Sequence, residues 1–269
     1  MDSEGGIVKD KKEIARQQAD FIEKQKIEAK NFIDKIDKSE IETILLAGSV
    51  ARGDFFPGKF GGMIDLVVMR KNGSKVTAED IFGPNQEPDI PFHCVKSGAC
   101  WFEILFTDFI TASDFAKFDE PRKYSILEAE IVYDANGSFG NELLKINELK
   151  KEECALELKN KIGYINYLLS DYKKDRWFRR DAFLQMHENL NTAIRMGVCG
   201  LYYKNNSYVP AEDRQLYYSL SLEKLPFNYE KVLVKLKSQK SKSFSNYKKR
   251  EELFRKTILA FIKQEDAHL

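Results

Sequence analysis

The chain has 269 residues, 43% of them apolar, and its 43 Lys and Arg nearly cancel its 42 Asp and Glu, for a formal charge of +1. Such a composition belongs to a soluble globular protein with room for two modest cores; it supplies no global field to draw the molecule onto nucleic acid or an anionic membrane. No stretch approaches the roughly 18 consecutive apolar residues of a membrane helix, and MDSEGGIVKDKKE lacks the apolar centre of a signal peptide, so the expected location is cytoplasmic, with no membrane partner and with nucleic acid disfavoured, since local patches alone would have to bind it.

From about Lys9 to Ile36, Ala15, Ala19, Ile22, Ala29, Ile33 and Ile36 recur at three- or four-residue steps or their sum, which predicts a helix. Thr43 to Ala47 reads as a short buried strand cut by a tight turn at Gly48-Ser49, with a loop rich in Gly and Phe behind it. Ile64 to Met69 forms the next strand, stopped by Lys71-Asn72-Gly73-Ser74, and Trp101 to Phe106 another; each holds one acid, Asp65 or Glu103, in apolar company. A further strand, Glu130 to Tyr133, ends at Asp134-Ala135-Asn136-Gly137.

Helical periodicity then takes over. Leu158, Ile162, Ile165, Leu169 and Tyr172 share one face; Phe183, Met186, Leu190, Ile194, Gly197 and Leu201 share another. The basic run from Lys235 to Ser243 reads as a mobile connection before a last helix around Tyr247 to Lys263. The expected fold class is therefore α+β: a small mixed sheet with helices over residues 1–145, then an all-helical bundle over 146–269.

Cys94, Cys100, Cys154 and Cys199 lack CxxC spacing, and His93, His187 and His268 make no HxxxH pair, so zinc has no evident cage and the cysteines read as reduced packing residues. His93 reads as a packed strand histidine. Arg176, Arg179 and Arg180, beside Trp177 and Phe178, are either a solvated basic turn or the edge of a cleft.

The chemistry-bearing feature is Gly48-Ser49-Val50-Ala51-Arg52-Gly53 after one strand, with Asp65 in the next and Glu103 in a later one. A glycine-bounded turn frees backbone N–H groups and lets a triphosphate come close, a Ser49 hydroxyl adds a donor, and Arg52 adds charge-assisted bonds. A carboxylate flanked by Leu, Val and Ile costs free energy to bury unless a cation or hydrogen bonds compensate. Asp65 and Glu103 are thus candidate metal ligands; the bland alternative is a pair of acids facing water on an open strand face.

In these residues the chain resembles the DNA polymerase β-like nucleotidyltransferases, especially small bacterial members similar to aminoglycoside and lincosamide nucleotidyltransferases. Their signature is a Gly-Ser turn, a spacer, Asp-x-Asp or Asp-x-Glu on the next strand and a third carboxylate on a later strand. Gly48-Ser49 matches the turn, Asp65 the second carboxylate and Glu103 the third, and the stretch from Leu201 to Pro210 with its following helices resembles the helical substrate-side domain. The resemblance implies a nucleotidyltransferase domain over 1–145, with phosphates held by Gly48, Ser49 and Arg52 and magnesium held by the catalytic pair Asp65 and Glu103. It implies transfer of a nucleoside monophosphate from an NTP, ATP among them, to a hydroxyl of a small-molecule acceptor.

The family's first aspartate falls on Met63. A thioether does not suit magnesium, so a second expectation stands beside the enzyme: a catalytically impaired module that binds nucleotide or a partner protein. Asp54, just past the turn, could reach the site from the loop, but its position differs from that of the family's first aspartate and no mechanism rests on it. A nucleic-acid-modifying enzyme ranks third, because no extended basic stripe accompanies the near-zero charge.

Overall fold

In the computed structural model, which describes residues 11–56, 63–146 and 151–264, the chain divides after Ile146 into two units. The expected helix start at Lys9 lies outside the described residues. No helix among them is long and apolar enough to cross a membrane.

The first unit holds one five-stranded sheet of order β3-β4-β2-β1-β5, built from β1 (Ile41–Ala47), β2 (Met63–Arg70), β3 (His93–Ser97), β4 (Cys100–Asp108) and β5 (Glu130–Asp134). β2 and β4 run parallel; every other pair is antiparallel. Alternation along each strand sorts the side chains between two faces. Ile44, Leu46, Ile64, Leu66, Val68, Phe102 and Ile104 share a core with Ala29 and Ile33 of helix α1 (Lys11–Lys35). Phe32 of α1 stacks on Phe102, with ring centroids 3.9 Å apart. The opposite face carries the acids.

Four short helices complete the unit: α3 (Ala78–Phe82), α4 (Ala112–Lys117), α5 (Glu120–Leu127) and α6 (Ser138–Lys145), with the one-turn helix α2 (Gly48–Arg52) between β1 and β2. Helices α3 to α5 were not expected from apolar periodicity, because five to eight residues span too few turns to show it. Their starts are set chemically. Thr77 with Asp80 and Thr111 with Asp114 form capping boxes, each hydroxyl accepting from the aspartate N–H and each carboxylate accepting from the threonine N–H. For α6 the cap comes from β5: the Asp134 carboxylate accepts the N–H groups of Phe139 (3.3 Å) and Gly140 (3.0 Å), and also the Thr43 hydroxyl of β1 (3.3 Å).

Among the described residues the second unit is entirely helical: α7 (Lys151–Leu168), α8 (Asp171–Phe178), α9 (Phe183–Lys204), α10 (Gln215–Tyr218), a 3-10 turn (Ser219–Ser221), α11 (Tyr229–Lys237), α12 (Phe244–Phe254), a π-helical turn (Arg255–Leu259) and α13 (Ala260–Lys263). Along α9, Met186, Leu190, Ile194, Gly197 and Leu201 of the expected face are buried and Phe183 is half-buried. Gly197 is there for closeness: a Cβ would lie 2.7 Å from the Phe254 ring.

Two expectations change. Tyr172 does not continue the face of α7, because Ser170 caps a new helix by accepting the Lys173 N–H, and Tyr172 is left 73% exposed. Nor is the run from Lys235 to Ser243 all connection. Lys235, Leu236 and Lys237 finish α11 with Leu236 fully buried, and only residues 238–243 link it to α12.

Candidate functional site

β2 and β4 pair in register, Met63 opposite Trp101 and Asp65 opposite Glu103. Strand neighbours lie about 4.8 Å apart, and residues two apart on a strand share a face, so all four side chains stand together on the face away from α1. They are half-exposed, whereas the intervening Ile64, Phe102 and Ile104 are buried. The flanking strands extend the rows. Cys94 of β3 pairs with Glu103 and Ala47 of β1 with Asp65, while Lys96 pairs with Trp101. Across the sheet one row therefore reads Cys94, Glu103, Asp65, Ala47, and the next Lys96, Trp101, Met63. Burial, then the negative charge of Glu103, pushes the Cys94 thiol up from its ordinary value, so it stays protonated as a packing residue.

The end of β1 brings Gly48 onto the carboxylate row. Its φ is +65°, and a Cβ built there would fall 1.6 Å from Asp65 Oδ2 and 2.5 Å from its Cγ. Glycine is required on both counts, by backbone conformation and by the approach of the carboxylate. The chain then makes one helical turn, α2, where the sequence suggested a turn running straight into loop. Buried Val50 anchors it, Gly53 at φ +80° ends it, and the Ser49 carbonyl accepts the N–H groups of Asp54 and Phe55, both at 3.0 Å.

Arg52, expected to add charge-assisted bonds to phosphate, closes α2. Its side chain is 7% exposed, with Nε 3.6 Å from Asp54 Oδ1, so the guanidinium and the loop carboxylate answer one another. Glu128, which follows α5, joins them. Crowding by protein atoms holds its carboxyl above the ordinary range; Arg52 pulls the other way and Asp54 adds to the rise. The structure thus sets Gly48 against Asp65 and Asp65 opposite Glu103, while Arg52, Asp54 and Glu128 form a charge cluster.

Trp101 and Lys96 were missed as site neighbours, although the signal was available for Trp101, two residues before Glu103 on the same strand. His93 lies on the other face, opposite Ile104 and 9% exposed, with its ring 6.0 Å from that of Phe82. In the second unit Arg179 pairs with Asp175 at 2.7 Å, and Arg176 and Arg180 lie over Trp177 at 5.0 and 5.3 Å.

The donor chemistry sorts the possible metals. Asp65 and Glu103 offer hard oxygens of the kind magnesium takes together with substrate phosphates; the third position on that face, Met63, offers a thioether. Among the described residues no group of three His, Cys, Asp or Glu side chains could hold a metal ion, so substrate phosphates would have to complete any magnesium site on this face.

No protein-family model matches the chain, and no curated protein sequence does. Among solved structures it is similar to a nucleotidyltransferase-like protein from Exiguobacterium sibiricum 255-15, at 8% identity over 92% of this chain and 74% of that one, with a TM-score of 0.41. The similarity is loose, and what the site can do follows from its own residues.

Proposed function

We propose that the first unit binds a nucleoside triphosphate with one magnesium ion at Gly48, Ser49, Asp65 and Glu103, and transfers its nucleoside monophosphate to a hydroxyl of a small-molecule acceptor. The observation that carries this reading is the in-register pair Asp65 and Glu103 beside a glycine whose Cβ position the Asp65 carboxylate fills. Asp65 and Glu103 would hold the magnesium ion, which would neutralise phosphate charge.

The remaining roles fall to the chain. Backbone N–H groups at Gly48 and Ser49, with the Ser49 hydroxyl, donate to phosphate oxygens. Glu103 takes the proton of the acceptor hydroxyl as its oxygen bonds to the α-phosphorus and the bond to pyrophosphate breaks. Arg52, whose Nε lies 3.6 Å from Asp54 Oδ1 at the exit of α2, adds positive charge toward the phosphates.

A second reading, nucleotide binding without turnover, is favoured by Met63, which stands where a second hard ligand from β2 would be. Calorimetry with ATP, GTP, CTP and UTP, each with and without magnesium, tests the binding both readings share. Pyrophosphate release in the presence of hydroxyl acceptors then separates them. Absence of magnesium-dependent binding for all four nucleotides would refute both.

A further inference from the structure

The second unit contains a cavity of about 600 Å³ between α8 and the helix that runs through α12 into the π-helical turn, within the range that holds small organic ligands. Its walls are rings. Phe178 and Phe244 approach with centroids 4.6 Å apart, and Phe244 lies nearly parallel to Tyr247, 7° between planes at 6.1 Å. Phe178 keeps 46% of its surface exposed while lining this space. The π turn begins at Arg255, on the cavity wall; such insertions recur at functional sites because they re-aim side chains out of helical phase.

The charges decide what the rings would accept. Four cations and three carboxylates line the cavity, and each carboxylate is already engaged. Glu251, 7% exposed, accepts from Arg255 Nε at 2.8 Å, from Lys174 Nζ at 3.3 Å and from the Tyr247 hydroxyl. Burial and that carboxylate keep Tyr247 protonated, its hydroxyl pushed well above the ordinary phenol range. Asp175 is taken by Arg179 at 2.7 Å and Glu252 by Lys256 at 2.6 Å. Lys248 has no acidic partner among the described residues; its ammonium stands 4.7 Å from the Phe244 ring centroid, at the exposed edge of the cavity. A cationic ligand would find no open carboxylate and would meet four like charges. An anionic group would find Lys248.

We propose that this cavity is a binding site for a planar aromatic molecule bearing an acidic group: a carboxylate, sulfonate or phosphate. The rings take the flat body and Lys248 takes the anion, with Lys174 and Arg255 adding positive potential from the floor.

Two naphthalene probes of nearly equal shape test this on the full chain by fluorescence titration: 1-anilinonaphthalene-8-sulfonate and the uncharged N-phenyl-1-naphthylamine. The sulfonate should bind about tenfold more tightly than the uncharged probe, the value of one charge-assisted contact at a partly exposed site. Lys248→Glu, a change on the exposed surface that leaves the fold intact, should abolish that preference without altering the uncharged probe. Phe178→Ala should weaken both probes by about fivefold or more through lost ring contact, with thermal melting of each variant checked by circular dichroism. Equal binding of the two probes, no binding of the sulfonate, or indifference of its affinity to Lys248→Glu would overturn the proposal. Unchanged affinities in a folded Phe178→Ala protein would place the probes elsewhere and overturn it too.

Discussion

Replacing Gly48 by alanine tests the closest approach in the candidate site. The new methyl group would fall 1.6 Å from Asp65 Oδ2, so either the carboxylate swings out of its row or β1 and β2 shift apart. At φ +65° an L-residue loses about 1–2 kcal/mol, and forcing atoms into a packed site costs about 1–3 kcal/mol more. The sum, about 2–5 kcal/mol, is a large part of the stability of an ordinary domain. The chain has two tryptophans, Trp101 in the sheet and Trp177 in the second unit, so urea unfolding followed by Trp101 fluorescence in a Trp177→Phe background reports on the first unit alone. Asp65→Ala removes the carboxylate but not the backbone strain; its own Cβ stays 2.9 Å from the position the new methyl group would take. In that background Gly48→Ala should cost less, because the 1.6 and 2.5 Å clashes are gone and only the backbone strain and the 2.9 Å contact remain, leaving a coupling of about 1 kcal/mol or more in the double-mutant cycle. An identical cost of Gly48→Ala with and without Asp65 would refute the close approach.

Three further outcomes follow from particular contacts. His187, fully buried, takes Arg250 Nη1 at 2.7 Å on Nδ1 and meets the Ser243 carbonyl at 3.3 Å through Nε2; burial first, then Arg250, lowers its pKa. The unfolded chain therefore binds the proton first, so stability of the second unit, read from Trp177 in a Trp101→Phe background, should fall as pH drops below about 6.5. A His187→Gln variant should lose that part of the pH dependence, and an unchanged profile would contradict it. Gly197→Ala should destabilise the second unit despite a better helix residue, because its methyl meets Phe254 at 2.7 Å, and in a Phe254→Leu background the penalty should shrink or reverse. Thr111→Ala should cost about 1 kcal/mol in the first unit through loss of the α4 cap, with Thr111→Ser restoring most of it; equal stability of the three proteins would count against the capping box.

What the sequence made legible was whatever it writes in long patterns. The strands around Ile44, Leu66, Ile104 and Ile131 and the helical face from Met186 to Leu201 announce themselves because several turns or alternations repeat one rule. Short helices escape that rule, and only Thr77 with Asp80 and Thr111 with Asp114 mark them, through spacing that also occurs by chance in loops. Register is the deeper limit. Asp65 and Glu103 share a face because β2 pairs β4 without offset; a slip of one residue would have put the carboxylates on opposite sides. Arg52 shows a similar limit. Its type suits phosphate, but the α2 turn also brings Asp54 within 3.6 Å of it, and nothing in the order of residues foretells that the turn would be helical.

The central claim, that Asp65 works with a second carboxylate as a magnesium and nucleotide site weakened by Met63, is met most directly by one titration. The otherwise native chain, Met63→Asp and Asp65→Ala, each in a Trp177→Phe background, are titrated with magnesium in the presence of ATP, with Trp101 fluorescence as the readout, since that indole shares the row with Met63 and adjoins Glu103. Met63→Asp adds a hard oxygen on the same face and should raise magnesium-dependent affinity by about tenfold, one added charge-assisted contact; Asp65→Ala should abolish it. An Asp65→Ala protein that binds magnesium and ATP as well as wild type would contradict the account.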